Sequence, residues 1–417
     1  MPAPLPEPPR TAPPPRPGWS ARFAAMSRGR TVYVLVSLLL LAPCQWQPRL
    51  DGGELPGQMC NSWLARSVES GRAQGLEAVH QTTNLLFDFV LGGLMKVLGA
   101  EAAQRISVSL VVLTFVWGAF AFISVVSGRR AWHLMPVVAM LAYGWVFHMG
   151  FFNFYLSLGL CFWALALTWD WKPWRLAAAA PILALAYLAH TLPVVWTGGL
   201  MAYVWLAGHT APRTRAWMIA LSLPVMVVLR ELADRRLIDE WSLQRVFMTP
   251  GADQGWTFDA RYGVVLVGLL LVWGVLFLEL VRQWGTRRVA ASIPFQICVV
   301  GAAGVFLLPV TLLIPGFHQA LVYIAERMAL GVSVCVCALL GAARPRMLER
   351  CALAALALIF FGLLYRDERA SNALEDRMQG AVAQSAPGRR VVIRGVKADV
   401  PCGSTNWKTI DDWQPNG

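Results

Sequence analysis

Charge is what this sequence has least of. Only 14% of its 417 residues are Asp, Glu, Lys or Arg, where an average soluble domain has about 25%. The short signatures of soluble enzymes are missing too. There is no Gly-Lys-Ser/Thr phosphate loop, no Cys-x-x-Cys, no His-Glu-x-x-His and no Gly-x-Ser-x-Gly. That sets aside P-loop nucleotide hydrolysis, dithiol redox chemistry, zincin proteolysis and the nucleophile elbow of serine hydrolases. What fills the space is apolar: 57% of the chain is hydrophobic, including 19 Trp and 19 Phe. A soluble globular enzyme is excluded, and an all-α integral membrane protein is expected. Lys and Arg number 36 against 24 Asp and Glu. In a membrane protein such an excess marks sidedness, so no nucleic acid partner is inferred.

Nine of residues 1–17 are proline. Such a stretch buries no core, and residues 1–30 are expected to be a disordered, Pro/Arg-rich cytoplasmic tail. A helix crossing a hydrocarbon core about 30 Å thick needs roughly 20 apolar residues. Runs that meet or approach this lie near 31–46, 103–126, 131–148, 150–169, 175–190, 191–207, 216–231, 262–281, 290–312, 326–343 and 349–365. About 11 transmembrane helices over residues 31–365 are therefore expected.

Basic residues test that map, because cytoplasmic loops collect Arg and Lys. Alternate loops carry Arg129–Arg130, Lys172 with Arg175, Arg213 with Arg215, Arg282 with Arg287–Arg288, and Arg344, Arg346 and Arg350. The short loops near 148–153, 190–193 and 313–318 carry none. This places the N-terminus in the cytoplasm and an extracytoplasmic tail at 366–417, in a plasma (inner) membrane.

Residues 83–98 are apolar but contain Asp88 and Lys96. Charges at a span centre cost about 2.5–3.5 kcal/mol each on insertion scales. The segment is expected to enter the membrane from outside or to lie along its face. The first span has a rival: Leu41-Ala-Pro-Cys44 after a short apolar run also reads as a cleaved signal. Cys44, Cys60 and Cys402 are the cysteines expected outside, free or paired as Cys60–Cys402 or Cys44–Cys60.

Two larger outer loops are expected, at 47–102 and 232–261. In the first, Cys60, Trp63, Leu64, Ser67 and Val68 share one helical face, which suits a helix resting on the membrane. The second carries Asp234, Asp239, Glu240, Asp253 and Asp259. Four of the six histidines, His80, His148, His190 and His318, fall at expected outer ends or loops. They are candidates for binding substrate, or else amphipathic residues at an interface. Asn153 follows His148 in a tight glycine-containing turn that can line a cavity or simply join two spans. Asp51 stands just after the first span in Asp51-Gly-Gly-Glu54. A carboxylate there can ligate a divalent cation or accept a proton from a hydroxyl.

One short span, then Asp51, an outer-face helix, a half-buried segment and Arg105 opening the next span resemble the GT-C superfamily of polytopic glycosyltransferases. The motif content of the resemblance is confined to about residues 47–110. It implies transfer of a sugar from a polyprenyl-phosphate donor on the outer face of the membrane. It also implies Asp51 as catalytic base or metal ligand, with Glu54 beside it and a divalent cation, Mg or Mn, as cofactor. Here the acids stand as Asp-x-x-Glu, in place of the family's Asp-x-Asp or Glu-x-Asp. The cationic part of a phosphate site would come from Arg105, Arg327 and the outer histidines. Two other readings stand beside it: a non-catalytic multi-pass assembly protein, and a transporter or flippase.

Overall fold

The computed structural model describes residues 19–72, 75, 82–234, 244–308, 311–312 and 321–384. It divides into two units that meet after Ala42. The first contains α1, Trp19–Leu40. Its helix starts inside the stretch expected to be disordered, because the prolines stop at Pro17 and helix-permissive residues follow. Leu38 and Leu39 of α1 are exposed, as the faces of a lipid-embedded helix are.

The second unit is built almost wholly of helices. After the single turn Ala42–Cys44 come α2 (Leu55–Glu69), α3 (Leu86–Leu98), α4 (Ala100–Ser127), α5 (Met135–Ala142) and α6 (Trp145–His148). Then follow α7 (Phe152–Thr168), α8 (Pro173–Ala189), α9 (Thr191–Gly208), α10 (Pro212–Asp234) and α11 (Gln244–Met248). The chain continues through α12 (Gly263–Trp284), α13 (Thr286–Ala290), α14 (Ile293–Leu307), α15 (Ile324–Leu340) and α16 (Met347–Ala383). Two residue pairs, β1 (Thr311–Leu312) and β2 (Leu321–Val322), run antiparallel between α14 and α15.

Among the described residues, four helices are long and apolar enough to cross a membrane: Ala100–Ser127, Thr191–Gly208, Ala260–Trp284 and Met347–Gly380. Shorter apolar helices are Gly29–Leu40, Phe152–Thr168, Pro173–Ala189 and Ile293–Leu307. Large apolar side chains such as Leu221, Leu271 and Leu358 stand exposed on helix surfaces. An all-helical protein with apolar outer faces is what a bilayer requires, since every backbone polar group must be satisfied within the segment.

Two expected elements differ. The run 131–148 is no single helix. It is a short turn at Trp132–Leu134, then α5, then α6, broken at Tyr143–Gly144. The reason is tertiary: a Cβ at position 144 would stand 2.5 Å from the Gln254 carbonyl oxygen. The expected tail from 366 is, as far as residue 383, the continuation of α16, which would run about 55 Å at 1.5 Å per residue. The strand-like run at 390–394 and Cys402 lie outside the described residues. By contrast α3, at 13 residues, would reach only about 20 Å, which suits a segment that does not cross.

The core of the second unit is the α4–α7 pair. Gly118 and Gly159 bring the two backbones together, so that a Cβ on Gly159 would meet the Phe115 backbone at 2.8 Å. Around that approach Phe115, Phe122, Tyr155 and Phe162 are fully buried, with Phe115 and Tyr155 centroids 4.4 Å apart. Close approach over small residues is how helices associate where lipid removes the hydrophobic drive.

The two ends of α4 define the ends of the bundle. At one, Arg129 donates to the carbonyls of Gly341 and Ala343 and so caps the C-terminus of α15. At the other, Arg105 holds the segment that contains Asp51.

Candidate functional site

The segment 43–54 has little secondary structure of its own and is held from three sides. Arg105 of α4 donates to the carbonyls of Cys44 and Gln47 at 3.3 and 3.0 Å, to that of Pro48 at 2.6 Å, and to Gln45 Oε1 at 3.3 Å. Both terminal nitrogens are thereby engaged with the loop, and Glu101 lies 3.6 Å away. Arg105 therefore holds the loop that carries Asp51. The second side is the far half of α16. Trp46 Nε1 donates to Glu368, the Arg49 N–H donates to Asn372 Oδ1 at 2.9 Å, and Asn372 Nδ2 returns to the Arg49 carbonyl at 3.2 Å. The Arg49 guanidinium reaches Asp376 at 2.7 Å.

The third side is the turn after α6. Gly53 N donates to the His148 carbonyl at 2.8 Å and Glu54 N to that of Met149 at 3.1 Å. Gly150 makes this possible. Its φ is +78°, and a Cβ there would lie 2.5 Å from Glu54 N. His148 is buried with its Nε2 4.0 Å from Glu368 Oε1. Cys44 is buried as well, 3.2 Å from the Tyr143 hydroxyl. Cys44 and Cys60 form no disulfide with each other, and Cys402 lies outside the described residues.

This frame points the two acids at different groups. Asp51 is half-buried, and burial pushes its carboxyl up to about 6; the Glu375 carboxylate raises it further and a hydrogen bond from Ser371 opposes both. Glu54 lies at the N-terminus of α2. Packing about its carboxyl raises it, Arg327 lowers it and Asp88 raises it. The chain between the two α-carbons spans at most about 11 Å. Among the described residues no three His, Cys, Asp or Glu side chains converge on a position that could hold a metal ion.

Arg327, on the first turn of α15, is buried, and its guanidinium carbon lies 3.6 Å from the centroid of the Phe151 ring. This is a cation–π contact in a desolvated setting. Its buried Nε–H has no hydrogen-bond partner. Tyr323, immediately before α15, has φ +58° and packs on Trp145 with centroids 5.5 Å apart. A left-handed aromatic residue stores about 1–2 kcal/mol of strain, and such strain gathers where a neighbouring group must be aimed.

His190 lies within electrostatic reach of Arg327. Its Nδ1 accepts the Leu192 N–H at 3.1 Å, which caps α9. In the neutral ring the hydrogen then sits on Nε2. Asn153 has its amide committed elsewhere. Its Oδ1 accepts the Phe87 N–H at 2.8 Å and its Nδ2 donates to Asp88 Oδ2 at 2.6 Å, so it caps α3. Asn153 thus fixes the start of α3 against α7. His80 and His318 lie outside the described residues. Of the candidates, the structure brings together Glu54, Arg327 and His190, with Asp51 on the same loop.

One group escaped the sequence reading. Within the expected polar loop 232–261, the turn Ala252–Gly255 is entirely buried against α5, α6, α11, α12 and α15. Asp239 and Glu240 lie outside the described residues, whereas Asp253 and Gln254 are inside the bundle. The signal available was Gly251 and Gly255 flanking Asp-Gln. Gly251 sits where a Cβ would meet the Ala329 carbonyl oxygen at 2.4 Å.

No family model, no curated protein and no solved structure matches this chain.

Proposed function

We propose that this chain is a membrane glycosyltransferase of the GT-C kind, taking a sugar from a polyprenyl-phosphate donor at the Asp51 end of the bundle. The observation that carries the reading is Arg327: a buried guanidinium with an unsatisfied Nε–H, fixed on Phe151 and facing Glu54. A buried cation with an unused donor is suited to an anionic oxygen, and a phosphate ester is the anion a lipid carrier supplies. The accompanying topology is eleven spans, the Arg129 end cytoplasmic and the Asp51 end outside, in the plasma (inner) membrane.

In this reading Arg327 and the Nε2–H of His190 hold the donor phosphate, and Glu54 keeps the guanidinium in place. Asp51 accepts the proton of the acceptor hydroxyl as that oxygen attacks the anomeric carbon. The bond from that carbon to the phosphate oxygen breaks, and its electron pair leaves with the phosphate, where Arg327 stabilises the charge. A carboxyl raised to about 6 suits such a base, since it is mostly ionised at neutral pH and still takes up a proton readily. The implied divalent cation, for which Asp51 would be a ligand, carries no step here.

The test is lipid extraction and native mass spectrometry of the full chain in mild detergent, followed by transfer assays with polyprenyl-phosphate sugars. The expected result is a co-purifying polyprenyl phosphate, lost in Arg327→Ala and kept in Arg346→Ala at the other end. No bound lipid, together with no transfer from any donor tried, overturns the reading in favour of a non-catalytic assembly protein.

A further inference from the structure

The buried turn Ala252–Gly255 places a carboxyl where a charge has nothing to balance it. Asp253 is 7% exposed and Gln254 is fully buried. Gln254 Nε2 donates at 3.0 Å to Asp253 Oδ2 and at 3.0 Å to the Glu326 carbonyl, tying the turn to the start of α15. Three oxygens around this bridge are buried without a partner: Asp253 Oδ1, Gln254 Oε1 and Glu326 Oε2. All three are acceptors when both acids are ionised, so none can satisfy another.

The surrounding charges do not help Asp253. The charged side chain that acts on it is another carboxylate, Glu326. Arg245 of α11 and Arg327 of α15 act on Glu326 instead, and Glu54 also draws on Arg327. From α6 the nearby titratable group is His148, and α5 carries none. Glu279 and Arg282 of α12 are about 24 Å or more from its start at 1.5 Å per residue. An ionised, unpaired carboxylate in such a place is far too costly to persist, and such groups take up a proton.

We propose that Asp253 is a neutral carboxylic acid at physiological pH, making the Ala252–Gly255 turn a proton-binding site of this protein. Its hydroxyl supplies the donor that this group of acceptor oxygens lacks. Burial raises this carboxyl to about 8, opposed by the Gln254 side-chain hydrogen bond, assisted by Glu326, and opposed further by the backbone N–H groups of Asp253 and Gln254. The site is independent of the transferase reading, since it needs neither a lipid nor a sugar.

Infrared spectroscopy of the full chain in detergent tests it. The difference between wild type and Asp253→Asn at pH 7 should show one protonated-carboxyl band, and titration from pH 7 to 9.5 should abolish it. About one proton per chain should be released over that range in wild type and none at this site in the variant. Absence of the difference band overturns the proposal. Should Asp253→Asn fail to fold, the wild-type titration is compared with Glu368→Gln and Glu326→Gln, which remove two other carboxyls near this turn. A band lost between pH 7 and 9.5 in all three proteins supports the proton site, and no such loss in either variant overturns it.

Discussion

Asn153 serves α3 with both ends of one amide: its oxygen takes the Phe87 N–H at 2.8 Å while its nitrogen gives to Asp88 at 2.6 Å. The residue sits on α7 and is buried, so α3 is positioned by a side chain 66 residues away in sequence. Asn153→Ala should therefore leave the Phe87 N–H unpaired, take one hydrogen bond from the Asp88 carboxylate and cost about 1–3 kcal/mol. Asn153→Asp should cost more, because it sets a second carboxylate against Asp88. Thermal unfolding of the purified variants in one detergent ranks the two. Equal melting temperatures for wild type and Asn153→Ala would remove the cap from the account.

Asp51 gives a prediction in pH. Its folded carboxyl titrates at about 6, above the ordinary value of 3.8. The folded protein thus holds this proton over a range where the unfolded chain has lost it. Stability contributed here falls as pH rises from about 4 to about 6 and is level above. Asp51→Asn should flatten that part of the curve. If Asp51 is the base, kcat/KM for sugar transfer rises through pH 6 in wild type, and Asp51→Asn loses transfer while remaining folded. Full transfer by the variant would take Asp51 out of the chemistry.

Gly150→Ala should be severe. A side chain would meet Glu54 N at 2.5 Å and would also have to adopt φ +78°. The left-handed backbone alone costs about 1–2 kcal/mol, and the clash breaks the pairing of Gly53 and Glu54 with the turn. Melting temperature and protease cleavage near residue 53 should both report it. Gly380→Ala, where the added methyl meets nothing within 4 Å, is the control.

The contacts to α16 should separate by exposure. Arg49 is partly exposed and its ion partners Glu375 and Asp376 more so, which makes Arg49→Ala worth under about 1 kcal/mol. Asn372 is buried and exchanges two hydrogen bonds with the Arg49 backbone, which Arg49→Ala leaves intact. Asn372→Ala should be the more damaging by about 1 kcal/mol or more. Denaturation of the two variants side by side decides it, and the reverse order would contradict the arrangement described.

Composition and hydrophobic run length made the helical, apolar character legible, and the positions of most long helices with it. Both are local properties, so α4 and α12 stand close to their expected places, and α16 begins close to its own. The break at Tyr143–Gly144 was hidden because Gly144 stands among apolar residues within the run 131–148, and its cause is a backbone arriving from residue 254. Arg105 and Asn153 were legible as polar residues at helix ends. Their duties were not, since carbonyls and N–H groups from distant loops carry no side-chain signature. Asp253 looked like a solvated loop acid for the same reason: burial depends on what packs over a turn, and the turn itself does not encode that.

The length of α16 has a mechanical consequence. It is one uninterrupted rod of 37 residues, and the strip carrying Asp51 is tied to its far half through Glu368, Ser371 and Asn372. A rod does not absorb a tilt locally. Any force applied near Met347 arrives as a displacement beside Asp51, and a partner gripping either end would move the other like a lever.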